Sequence, residues 1–317
     1  MLKNRGNELF KAKRYEAAIE MYSSALNCEG GEEEERKKIL TNRAAAKFHT
    51  EKYDDVIEDC DAAIRIDGKW KKAWNRKGQA LRALGHLDQA RSAYQSLLEI
   101  DPKSTTAQKG MKQVDSMEKK FSRAETLLEK GKFKQAYDAA VEIMKTCSDA
   151  PRMHKVKLNY MISKKMYDEV VKYSTFLLRK KIDGNDVLLI RAQAFYWNSN
   201  FSLCMKHLQQ VLRRDPDYRP AQKQLKQLRK LEKTKLRANQ MFKRSQWEEA
   251  VKLYTMCLKI EPDHKMFNSK ILCNRAAALQ KLRRNKEALD DCNQAIAFDT
   301  KYTKAYLRRA QCFFDLG

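Results

Sequence analysis

Residues 15–26 read YEAAIEMYSSAL, and the pattern returns as YDDVIEDCDAAI at 53–64, LDQARSAYQSLL at 87–98 and WEEAVKLYTMCL at 247–258. In each, apolar side chains fall three and four residues apart, the spacing that lines one face of an α-helix. A second helical stretch precedes each, so the unit is a helix-turn-helix pair. No stretch alternates apolar and polar residues with the period of two that a half-buried strand needs, so the class is all-α. Ala18, Val56, Ala90, Ala136, Val170, Cys204, Ala250 and Ala288 occupy equivalent places, with successive spacings of 38, 34, 46, 34, 34, 46 and 38 residues. A ninth unit opens near Thr303 and is cut off at Gly317.

Small or aromatic residues hold fixed places in these units (Gly6, Ala18, Tyr22 and Ala25; Gly78, Ala90 and Tyr94), and Pro102, Pro216 and Pro262 follow helix ends. The pattern resembles the tetratricopeptide repeat. The resemblance implies an α-solenoid of about nine repeats, the last truncated, grouped in three triplets. The expected domains are residues 1–116, 117–230 and 231–317, each of the first two being a triplet with its following helix. Both 46-residue spacings exceed 34 by twelve, about three helical turns. The added segments, Thr105 to Lys120 and Pro220 to Thr234, contain no internal proline, and Gly110 is their only glycine. Each is therefore predicted to run on into the next helix as a rod of about 25 to 28 residues, some 40 Å long. The first and third triplets also share longer connections, Asn27 to Lys37 and Pro262 to Ser269; the carboxylates Glu32 to Glu35 read as a solvated turn or helix start.

The 317 residues are 43% hydrophobic and 33% charged, with only 10 Gly and 5 Pro, which suits a helical chain with few tight turns. No apolar run reaches the roughly 18 to 20 residues that cross a bilayer, and the opening residues do not show the charged, apolar and small-residue pattern of a signal peptide. No membrane association is expected, and the location expected is cytoplasmic or nuclear. Cys28, Cys60, Cys147, Cys204, Cys257, Cys273, Cys292 and Cys312 form no C-x-x-C pair, and His49, His86, His154, His207 and His264 are scattered. No metal and no cofactor is expected. Neither a nucleophile with its base nor a phosphate loop is recognisable, so the chain is not read as an enzyme. The net charge of +24 favours acidic partners without choosing among them.

One polar constellation occurs twice. Lys3, Asn7, Asn42, Lys72 and Arg76 are repeated 232 positions later as Lys235, Asn239, Asn274, Lys304 and Arg308. Residues four apart share a helical face, and first helices of successive repeats line the concave side of a solenoid. Each set then offers three cations and two carboxamides, a donor-rich surface suited to two close carboxylates such as a C-terminal Asp. Four or five charge-assisted hydrogen bonds supply roughly 6 to 12 kcal/mol gross, leaving micromolar affinity once a flexible peptide is ordered. The corresponding residues of the middle triplet, Phe121, Glu125, Val156, Asp186 and Ile190, neither donate to nor attract a carboxylate. That triplet is expected to act as a spacer or a separate contact surface.

The segments KNRGN, TNRAA and KAWNR, and again KLRAN, CNRAA and KAYLR, are similar to the dicarboxylate clamp of co-chaperone repeat domains at all five places. The resemblance implies capture of the Glu-Glu-Val-Asp tails of Hsp70 and Hsp90, one tail in each groove. Three triplets with clamps in the first and third, and the ending TKAYLRRAQCFFDLG, resemble the J-domain (DnaJ/Hsp40 class C) proteins with nine repeats. These imply a co-chaperone adaptor that links chaperones and transfers client proteins. The J domain's His-Pro-Asp tripeptide does not occur here, so the chain reads as the repeat portion of a longer protein. A clamp-bearing adaptor or an organelle import receptor without a J domain is the alternative reading. The segment Arg219 to Arg237, with eight Lys or Arg against Glu232, raises nucleic-acid binding. It lacks a stacking series of aromatic residues, so a solvated basic helix is preferred and no specific nucleic-acid partner is expected. Differences such as Trp74 against Tyr306, and Arg43 and Lys47 against Arg275 and Leu279, are candidates for telling the two grooves apart.

Overall fold

The computed structural model describes residues 1–28, 32–182 and 184–316. Among them are seventeen α-helices and no strand. The chain divides into two compact units, Met1–Ser163 and Lys164–Gly317.

The first unit holds α1 (Leu2–Lys11), α2 (Tyr15–Asn27), α3 (Glu33–His49), α4 (Tyr53–Ile66), α5 (Lys71–Ala83), α6 (Leu87–Ile100), α7 (Thr105–Glu129), α8 (Phe133–Met144) and α9 (Pro151–Ser163). One core, built on Tyr22, Ile39, Leu40, Val56 and Cys60, joins its first helices. A second, built on Leu81, Tyr94, Leu97, Val114, Phe121 and Met153, joins the rest. The second unit holds α10 (Tyr167–Arg179), α11 (Asn185–Trp197), α12 (Phe201–Arg214), α13 (Arg219–Lys243), α14 (Trp247–Ile260), α15 (Lys265–Lys281), α16 (Asn285–Phe298) and α17 (Thr303–Leu316). Its main core gathers Leu208, Leu225, Leu228, Leu231, Tyr254 and Ile271.

Helices α7 and α13 are the two expected rods, each of 25 residues and so about 38 Å long. The added segments hold as helix because each has a buried stripe. Ala107, Gly110 and Val114 form it on α7, and Ala221, Leu225, Leu228 and Leu231 on α13. Burying one leucine side chain contributes on the order of 1.5 to 3 kcal/mol, more than the propensity differences along the segment. The Ser104 side chain caps α7, and Pro220 stands in the first turn of α13, where its missing N–H costs nothing.

Two local expectations change. The connections in the first and third triplets are largely helical: α3 and α15 are 17 residues long, against 13 in α5. Glu33, Glu34 and Glu35 make the first turn of α3, where the helix dipole favours carboxylates; residues 29–31 of that connection lie outside the described residues. Tight turns are also frequent despite the few glycines. Three-residue turns join α1 to α2, α3 to α4 and α5 to α6, with Lys13, Glu51 and Gly85 in the left-handed region. Ser199, Ser245 and Arg283 do the same in the second unit. Packing of the helix pairs imposes this conformation on residues that disfavour it by about 1 to 2 kcal/mol each.

The tightest packing is tyrosine against glycine. A Cβ on Gly78 would lie 2.7 Å from the Tyr94 ring, and one on Gly110 2.5 Å from it. The ring is therefore held by two backbones. Gly110→Ala should lower the urea midpoint of unfolding by the equivalent of about 1 to 3 kcal/mol, the strain outweighing the roughly 1 kcal/mol gain in helix propensity. An unchanged or raised midpoint would contradict the close approach.

Candidate functional site

In the first unit a groove of about 220 Å³ is lined by Asn7, Phe10 and Lys11 of α1, Tyr22 of α2, Asn42 and Ala45 of α3 and Arg76 of α5. In the second unit a groove of about 320 Å³ is lined by Asn239, Phe242, Lys243, Tyr254, Asn274, Ala277 and Arg308, with Leu236 and Gln240 added. The seven shared members are identical in type and lie 232 positions apart. The recurrence seen in five residues therefore extends to Phe10, Lys11, Tyr22 and Ala45 and their counterparts.

The carboxamides are held in place. Asn7 Oδ1 accepts from the Tyr22 hydroxyl at 2.8 Å and from Asn42 Nδ2 at 3.0 Å, which leaves Asn7 Nδ2 as the donor for a ligand. The Tyr254 hydroxyl donates to Asn239 Oδ1 at 2.8 Å in the same way. Burial raises the Tyr22 pKa and pushes that of Tyr254 up to about 12, so both hydroxyls remain donors at neutral pH. Sequence spacing marked these tyrosines only as packing residues.

The arginines face an unusual balance. Arg76 Nη1 donates to the Thr41 carbonyl at 2.6 Å, and Arg308 Nη1 donates to the Cys273 carbonyl and lies 3.1 Å from its thiol sulfur. Among the described residues no carboxylate stands within 4 Å of either guanidinium. Burial lowers the pKa of Arg76 from its usual value, yet an arginine stays charged at any accessible pH. A partly buried cation that lacks an anion is strongly attracted to one from solution.

The lysines sit differently. Lys3 does not line the first groove and pairs with Glu35 at 2.5 Å; Lys235 pairs with Glu232 at 2.5 Å. Lys72 and Lys304 are exposed near the starts of α5 and α17. The structure thus brings together Asn7, Asn42 and Arg76, and Asn239, Asn274 and Arg308, and leaves the four lysines outside the lining.

Arg43 and Arg275, beside Asn42 and Asn274 in sequence, are structural. Arg43 grips Asp59 with bonds of 2.9 and 2.6 Å, and Arg275 grips Asp291 with bonds of 2.8 and 2.6 Å. Trp74 donates to the Gly68 carbonyl, and Tyr306 to that of Thr300. None of these four lines its groove. The differences that do touch a lining are Leu236 and Gln240, which replace Asn4 and Glu8.

The middle positions have other roles. Phe121, Val156 and Ile190 are buried, and Glu125 is gripped by Arg152 at 2.8 and 2.5 Å, which also holds Glu118 at 2.8 Å. Asp186 stands in the first turn of α11. Among the described residues no cluster of His, Cys, Asp and Glu could hold a metal ion, and no helix is long and apolar enough to cross a membrane. Seven cysteines are buried and Cys28 is exposed; burial pushes Cys60 and Cys204 up to about 12, far from the reactive thiolate.

The fold is that of a tetratricopeptide-repeat solenoid, and the tetratricopeptide repeat family model matches residues 71–104, the α5–α6 pair. The fold agrees with the crystal structure of the P58(IPK) TPR domain at a TM-score of 0.65, covering 98% of this chain and 86% of that one at 17% identity. Its homologues include DnaJ homolog subfamily C member 7 proteins. The Dictyostelium discoideum homolog is 30% identical over 313 residues, 98% of this chain and 58% of that protein. The Homo sapiens protein is 29% identical over 317 residues, 99% of this chain and 63% of that protein. The chain therefore spans less than two thirds of the length of these relatives.

The two buried arginine pairs differ in one respect that stability measurements can read. Asp59 also has Lys47 at 3.0 Å, whereas Leu279 stands at the corresponding place beside Asp291. Arg275→Ala should destabilise by about 3 to 5 kcal/mol, and Arg43→Ala by clearly less. Burial already raises the Asp291 pKa, so the Arg275→Ala loss should shrink as pH falls and the stranded carboxylate protonates. Equal losses, or a loss that grows at low pH, would contradict this account.

Proposed function

We propose that the chain is a co-chaperone adaptor whose two grooves each clamp the acidic C-terminal tail of a chaperone, with Hsp70 and Hsp90 as the partners. The observation that carries this reading is the same in both grooves: an arginine without a carboxylate, beside two asparagines, the first of which a buried tyrosine orients as a donor. A terminal aspartate supplies two carboxylates close enough to accept from Arg76, Asn7 and Asn42 together, and in the other groove from Arg308, Asn239 and Asn274. Lys3 with Lys72, and Lys235 with Lys304, add positive potential and long flexible arms that reach a tail as it settles. The homology to DnaJ homolog subfamily C member 7 proteins supports a chaperone-related role.

Linking two chaperones and passing clients between them is the role proposed for the whole protein, with a J domain beyond this chain. The triplets at 1–116 and 231–317 are the proposed binding domains, and 117–230 the clamp-free one. A cytoplasmic or nuclear setting, where these chaperones are met, follows from the proposal.

Peptides ending in Glu-Glu-Val-Asp should bind two per chain, with micromolar Kd. Arg76→Ala and Arg308→Ala should each remove one site, at a cost of about 2 to 5 kcal/mol, and amidation of the peptide terminus should remove both. One peptide per chain, or affinity indifferent to amidation, would overturn the reading. Glu35→Gln frees Lys3 from a half-buried ion pair and should tighten the first groove by about two- to fivefold, with no effect on the second.

A further inference from the structure

A lysine-lined groove lies away from both of the grooves described above, between α13 and α14. A shallow groove of about 520 Å³ is lined by Lys223, Lys226, Gln227 and Lys230 of α13 and by Met256, Lys259 and Ile260 of α14. On α13 the lysines are three and four residues apart, so they form one stripe about 10 Å long. All four lysines are exposed, and among the described residues none has a carboxylate within 4 Å. Several lysines elsewhere in the chain have acidic partners: Lys37 with Asp67, Lys47 with Asp59, Lys77 with Asp61 and Lys134 with Asp138. Like charges at this spacing oppose the helix that carries them, so the stripe is a standing cost to α13.

The floor is apolar and solvent-facing. Met256 is 47% exposed, and Ile260 is half-buried beside it. The one amide in the lining is engaged, because Gln227 Nε2 donates to the Ile260 carbonyl at 3.2 Å. The groove therefore offers cations along one edge, a flexible thioether and aliphatic carbons at the base, and no aromatic ring on which a base could stack.

We infer that this groove binds an acidic amphipathic helix of a partner protein, its carboxylates along the lysine stripe and its apolar side chains over Met256 and Ile260. Glutamates at i, i+3 and i+7 of such a helix repeat at the spacing of Lys223, Lys226 and Lys230. A strip of apolar residues beside them meets the floor, and the shallow groove takes that one face. Charge complementarity alone would also admit a nucleic acid. The exposed methionine in place of an aromatic ring, and the absence of a free amide for a base edge, favour the peptide.

The test uses the full chain and a fluorescent, N-acetylated, C-amidated peptide of about 15 residues, glutamates at i, i+3 and i+7 and leucines on the adjoining face. The blocked terminus denies the clamps their α-carboxylate. Binding followed by fluorescence anisotropy at physiological salt should persist in Arg76→Ala and Arg308→Ala. It should weaken at least about tenfold in the double variant Lys226→Glu, Lys230→Glu and by roughly threefold or more in Met256→Ser. These substitutions are at exposed positions, and unchanged helical circular dichroism confirms that the variants fold. Affinity that survives the charge reversal overturns the proposal, as does loss of binding in the arginine variants. Insensitivity to Met256→Ser, or displacement of the peptide by an oligouridylate of tighter affinity, reassigns the groove to nucleic acid and overturns it equally.

Discussion

In the first unit, the contact on which both packing and groove depend is a buried tyrosine of a second helix laid against the backbone of a first helix. Tyr22 lies so close to Gly6 that a Cβ there would stand 2.6 Å from its ring, and Tyr94 approaches Gly78 and Gly110 as closely. This approach sets the spacing of the helix pair, because no side chain intervenes. It also carries the tyrosine ring through the repeat, so that its hydroxyl emerges beside the asparagine of the first helix. Packing and ligand geometry are thus joined in one side chain: the same ring that closes the repeat holds the Asn7 amide in the orientation that donates.

The charged residues divide into two populations by their partners. Arg43, Arg275 and Arg152 are half-buried with carboxylates that neutralise them, and their work is structural. Arg76 is held by a backbone carbonyl, and Arg308 by a carbonyl and the neutral Cys273 sulfur, which fix position without cancelling charge. A carbonyl's dipole offsets only part of a guanidinium's desolvation, and the remainder is available to an incoming anion. The same division separates the neutralised lysines from those of the α13–α14 groove. Net charge says how many cations are in surplus, and the pairing pattern says where that surplus is concentrated.

Much of this was legible along the chain. The period of about 34 and the two 46-residue spacings marked the repeats and the long helices α7 and α13, because a buried stripe must recur at 3.6 residues whatever the neighbouring helices do. The 232-residue recurrence singled out Asn7, Asn42 and Arg76 with their counterparts. Other features were illegible. The left-handed turn residues Lys13, Ser199 and Arg283 carry no glycine signal, since the packed helix pairs impose their backbone. Trp74 and Tyr306 promised selectivity by position, yet each turns its polar atom to a nearby carbonyl. Leu236 and Gln240 were not suspected, because only the shape of the groove shows which neighbours of Asn239 reach it.

Sequence by itself determined the helical class, the repeat length and the duplicated polar set, all of which follow from local periodicity and from counting. Tertiary structure alone decided which cations are neutralised. Lys3 meets Glu35 across 32 residues and Arg43 meets Asp59 across 16, while Arg76 meets Thr41 across 35 and finds only a carbonyl. Charge is a property of residue type, but an uncompensated charge is a property of the distance between helices, and that distance is set by how the helices pack.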